Sequence, residues 1–162
     1  VYLTIIRGTP MMVQLMIMYF VVFSSSRHEV AVATLAFGIN SGAYVAEIVR
    51  GGIMSVDAGQ MEAGRSLGMN YTQTMRHIII PQAIKNILPA LGNEMITLLK
   101  DTSLMTVIGA KDLTKAAQTV QAVTYQAFMP YISIAVIYLV CVIALSKLLA
   151  LIERRMRNSD RR

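Results

Sequence analysis

The 162-residue chain is 55% hydrophobic and 15% charged, with a mean hydropathy of +0.55 and a formal net charge of +6. A soluble domain of this length rarely runs so apolar, and the basic residues sit mostly between and after the apolar segments, which points to membrane topology and away from nucleic acid. The single cysteine, Cys141, excludes an internal disulfide, and neither His28 nor His77 has the neighbours that a metal site needs.

The chain opens on Val1 and enters an apolar stretch at once, with no signal-peptide pattern; the expectation is a piece of a longer protein with at least one helix upstream. Arg7-Gly8-Thr9-Pro10 breaks that stretch. Thr9 can cap a helix and Pro10 suits its first turn. Met11 to Phe23 is apolar but short, and needs its flanks to cross a bilayer; Gln14 within it is expected to pack or hydrogen-bond between helices. Ser24 to Glu29 is a polar turn.

Val30 to Val49 is long enough to span, since about 20 residues at roughly 1.5 Å rise cover the ~30 Å hydrocarbon core. Gly38, Gly42 and Ala46 form a small-residue stripe of the kind that lets helices approach closely in lipid. Asn40 and Ser41 lie mid-span, where polar groups face protein or water rather than lipid. Glu47 lies one turn from Arg50 and is expected to pair with it.

Asp57 with Gln60, and Asn70 with Gln73, read as two capping boxes. They predict two short helices, the first ended by Gly68 and the second running toward Ile80 before Pro81. Arg50, Arg65, Arg76 and Lys85 put this loop, residues 51–82, in the cytoplasm, and the Asn70-Tyr71-Thr72 glycosylation pattern is discounted for that reason.

Ala83 to Leu99 is apolar but interrupted, and Pro89 is expected to kink or break it. Lys100-Asp101-Thr102-Ser103 follows, with Glu94 just upstream. Charges near a break in a spanning helix are how many transporters build a midplane site. Asp112 to Pro130 is more polar and is placed at the outer surface. Tyr131 to Ile152 is the last span, and the basic tail from Glu153 to Arg157 anchors a cytoplasmic C-terminus.

Residues 61 to 81 then carry a specific spacing. Glu62-Ala63-Gly64, three residues, Gly68, nine residues and Ile78-Ile79-Ile80-Pro81 resembles the loop signature of ABC importer permease subunits, in which Glu-Ala-Ala, three residues, Gly and nine residues precede Ile-x-Leu-Pro. Gly64 stands for the second alanine and Ile80 for the leucine; Gly64 is expected to loosen the first short helix. Arg7 to Pro10, Asn40 to Gly52, Pro89 to Glu94 and Lys100 to Leu104 resemble the polar amino-acid branch of that family, so the likeness covers nearly the whole chain.

The resemblance implies an all-α, polytopic transmembrane helix bundle of the type I importer kind, a single domain over residues 1–162, with about four membrane segments and short cytoplasmic coupling helices. It implies a multi-pass protein of the bacterial inner membrane moving polar amino acids by alternating access. Its partners would be two cytoplasmic ATPase subunits, a second permease subunit, an extracytoplasmic solute-binding protein and the lipid bilayer, with no nucleic acid. No cofactor or metal is expected on the chain. It has no GxxxxGK[ST] phosphate loop, so ATP and Mg would belong to the partner ATPase and the chain itself would not be an enzyme.

Glu62, Ala63, Gly64, Gly68, Ile78, Ile80 and Pro81 would form the ATPase-coupling loop. Asn40, Ser41, Glu94, Lys100, Asp101, Thr102 and Ser103 are the candidates for the substrate pathway, since a zwitterion needs acceptors for its ammonium and donors for its carboxylate. Two readings of the last cluster stay open at this point: direct solute contact, or a Lys100–Asp101 or Lys100–Glu94 network that holds the break. Two rivals remain for the chain as a whole: a permease for another zwitterionic solute, such as a compatible solute or opine, and a non-transporting scaffold subunit.

Overall fold

The computed structural model describes residues 1–26 and 28–158, with side chains through Arg154; the basic tail beyond Arg154 lies outside the described residues as far as its side chains are concerned. Among the described residues the chain is helical throughout. In chain order the α-helices are α1 (Tyr2–Gly8), α2 (Met11–Ile17), α3 (Glu29–Met54), α4 (Ala58–Ser66), α5 (Tyr71–Thr74), α6 (Ile80–Asp101), α7 (Leu113–Thr124) and α8 (Phe128–Asn158). A π turn, Met18–Val22, prolongs α2; another, Met75–Ile79, joins α5 to α6; a 3-10 helix, Thr102–Ile108, follows α6.

Helices α3 and α8 are long and apolar enough to cross a membrane, and α1 with the Met11–Val22 segment makes a third candidate span, bent by 104° at residues 9 and 10. Helix α6, at about 33 Å, has the length of a fourth span, but with Gln82, Lys85, Asn86, Asn93 and Glu94 along it, it is less apolar than α3 and α8.

Several local expectations change. Thr9 does not cap α2: its hydroxyl donates back to the Ile5 carbonyl at 3.0 Å, and Pro10 takes the N-cap position. Asp57 caps α4, accepting from the Gly59 amide at 2.6 Å, but Gln60 does not complete a box; its Oε1 accepts from Gln82 Nε2 on α6. The Asn70–Gln73 capping box forms as expected, both bonds at 2.9 Å. Neither Pro81 nor Pro89 ends a helix. Pro81 stands in the first turn of α6, where its missing N–H costs nothing, and α6 runs through Pro89 unbroken. The α-helix instead gives way at Thr102, directly after Lys100 and Asp101, and Gly109 at φ 84° closes the 3-10 turn.

Helix α3 organises the bundle by packing against α1, α2 and α6. Its inward face carries Val32, Ala33, Ala36, Asn40 and Ala43. The Gly38–Gly42–Ala46 stripe lies on the other side of the helix, exposed, and neither glycine has another element within reach of an added Cβ. The close approach comes instead at Gly52, where α3 meets the Ile87 side chain of α6. Leu15, Ala33, Ala36, Ile108 and Ala110 form a buried cluster that joins α2, α3 and the 3-10 segment. Lipid tails are as apolar as these side chains, so close fit rather than escape from water holds such a cluster together.

The loop between α3 and α6 is built tightly. Gly68, at φ 78°, ends α4 with its amide on the Arg65 carbonyl at 2.9 Å and the Met69 amide on the Gly64 carbonyl at 3.0 Å, a Schellman motif. Gly64 does not loosen α4. A Cβ there would stand 2.5 Å from Thr74 Cγ2 and 2.7 Å from its Oγ1, so the glycine lets α4 lie directly on the fully buried Thr74.

Gly64→Ala is therefore expected to lower the melting temperature of the purified protein, by about 1–3 kcal/mol of overpacking offset by up to ~1 kcal/mol of helix propensity. Adding Thr74→Ala, which removes both crowding atoms, should recover most of the loss. If the double variant melts no higher than Gly64→Ala alone, the crowding account is wrong.

Candidate functional site

At the bend between α1 and α2 the helix ladder is interrupted, which leaves backbone carbonyls without helical donors. The Gln14 side chain meets them. Its Nε2 donates to the Ile6 carbonyl at 2.6 Å, the Thr9 carbonyl at 3.1 Å and Thr9 Oγ1 at 2.6 Å, so its two protons serve three acceptors. Its Oε1 accepts from Asn40 Nδ2 on α3 at 3.0 Å. One amide thus closes the bend and ties it to the neighbouring helix.

Beside this bend lies a cleft of about 450 Å³. Three elements line it. The bend supplies Arg7, Thr9 and Pro10; α3 supplies Asn40 and Tyr44, one turn apart; α6 supplies Glu94, Thr97 and Asp101, on one face by their i, i+3 and i+7 spacing. Among the described lining residues Arg7 is the one cation and Glu94 and Asp101 are the anions. The cleft therefore offers donors and acceptors of both signs, which suits a small zwitterion better than an apolar ligand.

Of the residues expected on a solute path, Asn40, Glu94 and Asp101 meet here. Ser41 is buried in α3 but does not line the cleft. Lys100 is exposed; no ion pair joins it to Asp101 or Glu94 among the described residues, and its charge acts on Asp101 at longer range. Thr102 spends its hydroxyl on the Leu99 carbonyl at 2.6 Å, and Ser103 lies half-buried outside the lining. Arg7, Tyr44 and Thr97 were not among the candidates. Their signal was helical spacing: Tyr44 is one turn after Asn40, and Thr97 falls between Glu94 and Asp101.

Glu47 pairs closely with Arg50 as expected, and also faces Arg7 Nη1 at 3.6 Å. The Arg7 guanidinium sits 5.3 Å from the Tyr44 ring centroid, within cation–π range. On the loop, Glu62 and Ala63 are exposed on α4, Gly64 is buried against Thr74, and Gly68 turns the chain. Ile78 is half-buried in the π turn, while Ile80 and Pro81 are exposed at the start of α6.

Helices long and apolar enough to cross a membrane, together with a cleft lined by charges of both signs, define a membrane protein. The family of binding-protein-dependent transport system inner membrane components matches residues 1–158, and the chain belongs to it, as a permease component of an ABC importer. The glutamine transport system permease protein GlnP of Escherichia coli strain K12 is 42% identical over 161 residues, covering 97% of this chain and 74% of that protein. The arginine transport system permease protein ArtQ of Bacillus subtilis strain 168 is 40% identical, covering 98% and 74%. A crystal structure described as an amino acid ABC transporter with histidines superposes with a TM-score of 0.88 at 54% identity, over 95% of this chain and 73% of that one.

Gln14→Leu keeps the volume but strands the Ile6 and Thr9 carbonyls and the Asn40 amide. The expected cost is about 1–3 kcal/mol each for the part-buried Ile6 carbonyl and Asn40 amide, and little for the exposed Thr9 carbonyl, read as a lower melting temperature of the detergent-purified protein. An unchanged melting temperature would mean that water or lipid headgroups satisfy these groups instead.

Proposed function

We propose that the chain is the membrane-spanning permease subunit of an importer for polar amino acids, and that solute passes through the cleft lined by Arg7, Asn40, Tyr44, Glu94, Thr97 and Asp101. The observation that carries the substrate class is that the two relatives and the solved structure described above are each named for amino acids, at 40–54% identity over almost the whole chain. The mixed charge of the cleft supports it, because an α-amino acid presents one ammonium and one carboxylate.

In this reading the chain performs no bond chemistry. Two cytoplasmic ATPases bind ATP and Mg and drive a pair of permease subunits between inward- and outward-facing states, and an extracytoplasmic binding protein delivers solute. Residues 51–82 dock on the ATPase, with exposed Glu62 supplying charge for the docking cleft. The C-terminus is cytoplasmic, in the bacterial inner membrane. From Tyr71 to Asp101 the helix is continuous through the π turn, so a push on the loop reaches Glu94 and Asp101 along one stiff rod.

The test is ATP hydrolysis by the full-length permease, reconstituted in lipid with its ATPase and binding protein and offered the polar amino acids one at a time. Stimulation by one or a few is expected. Stimulation by none, in a complex that assembles and hydrolyses ATP, would discard the amino-acid assignment in favour of another zwitterion such as a compatible solute or opine. Glu62→Lys should bring uptake to background while membrane insertion stays normal, and normal uptake by that variant would sink the coupling role. Asp101→Asn should weaken solute stimulation by roughly tenfold or more, as loss of a charged hydrogen-bond acceptor implies.

A further inference from the structure

Glu47 is shared unequally. Arg50 engages both of its carboxylate oxygens from one turn along α3, its Nε reaching Oε2 at 3.2 Å and its Nη2 in close contact with Oε1. Arg7 reaches the same Oε2 only at 3.6 Å, beyond hydrogen-bond range, from the end of α1. The Glu47 charge is therefore compensated without Arg7, and among the described residues no hydrogen bond fixes the Arg7 guanidinium in place. Its side chain is 40% exposed, stacked near Tyr44, and lines the cleft whose anions are Glu94 and Asp101.

We infer that Arg7 is a movable carboxylate ligand: it rests on Glu47 and the Tyr44 ring in this structure, and transfers to the carboxylate of the solute when one enters the cleft. Arg50 makes the transfer cheap, because Glu47 keeps a bidentate partner when Arg7 leaves. The guanidinium fork suits a carboxylate, to which it can donate two parallel N–H bonds. Glu94 and Asp101, on the α6 wall, are left for the ammonium. The exchange takes Arg7 off α3 and onto solute, so the contact between the bent span and α3 changes with occupancy. This inference rests on the amino-acid reading of the cleft given above.

The experiment measures equilibrium binding to the full-length permease in complex with its ATPase, in lipid nanodiscs and without the binding protein, so that only the membrane site is read. The probes are L-glutamine, L-arginine and the α-carboxamide of each, which lacks the carboxylate charge. Wild type is expected to bind at least one amino acid roughly 10- to 100-fold more tightly than its carboxamide, as one charge-assisted pair implies. Arg7→Gln should bring that ratio close to one by weakening the amino acid and not the carboxamide, and Arg7→Lys should restore part of it. Glu47→Gln, which removes the competing carboxylate, should tighten the amino acid and leave the carboxamide alone.

An intact ratio in Arg7→Gln, with both ligands weakened by Asp101→Asn, would overturn the role of Arg7 and leave the cleft assignment standing. Binding of neither amino acid to wild type would overturn both. Should Arg7→Gln fail to assemble, Glu47→Gln decides: unchanged amino-acid affinity in that variant rules out the exchange.

Discussion

The Gln14 side chain carries a burden that little else in the chain could carry. A 104° bend between α1 and the Met11–Val22 segment leaves backbone carbonyls without helical donors. A two-residue break at Thr9 and Pro10 is tolerated because one side-chain amide folds back over it and at the same time accepts a hydrogen bond from Asn40. The bend opens the cleft, the Asn40 bond fixes α3 as its second wall, and α6 packs on α3 to supply the third. Remove that amide and the geometry of all three walls loosens together.

The second constraint is stiffness between the loop and the cleft. Gly64 lets α4 sit on Thr74, the Asn70–Gln73 box starts α5, Gln60 reaches Gln82, and Asn86 donates to Ser55 Oγ at 2.8 Å. These contacts clamp the loop to the rod that begins at Tyr71. Two prolines on that rod do not break it: Pro81 falls in a first turn, and α6 continues through Pro89. The cost of Pro89 is local, whereas breaking α6 there would expose several carbonyls.

The arginines at Glu47 belong to a third feature, the exposed or half-buried charge placed at the seam between the bent span and α3. Arg50 belongs to α3 itself, and Arg7 comes from across the seam. A carboxylate held firmly from one side and loosely from the other is an arrangement in which the loose partner can be exchanged at little cost. The same seam borders the cleft, so packing and cleft lining share a side chain.

The membrane class, the spans at α3 and α8, the Asn70–Gln73 box, the turn at Gly68 and the loop spacing could all be read along the chain. Each is set by residues within a few positions of one another, through hydropathy, caps or a glycine's positive φ. The cleft was legible only in part. Asn40, Glu94 and Asp101 stand out because polar groups in apolar segments are costly, but Lys100, Thr102 and Ser103 stand out equally, and their facing was settled by the register of α6 against α3. Sequence put a kink or break at Pro89 and the close approach at Gly38 and Gly42. The bundle put them at Thr102 and at Gly52, because a proline's strain and a glycine's smallness act only through what packs against them. Arg7 and Tyr44 became site residues for the same reason: they lie far apart in the chain, and only the 104° bend brings them together.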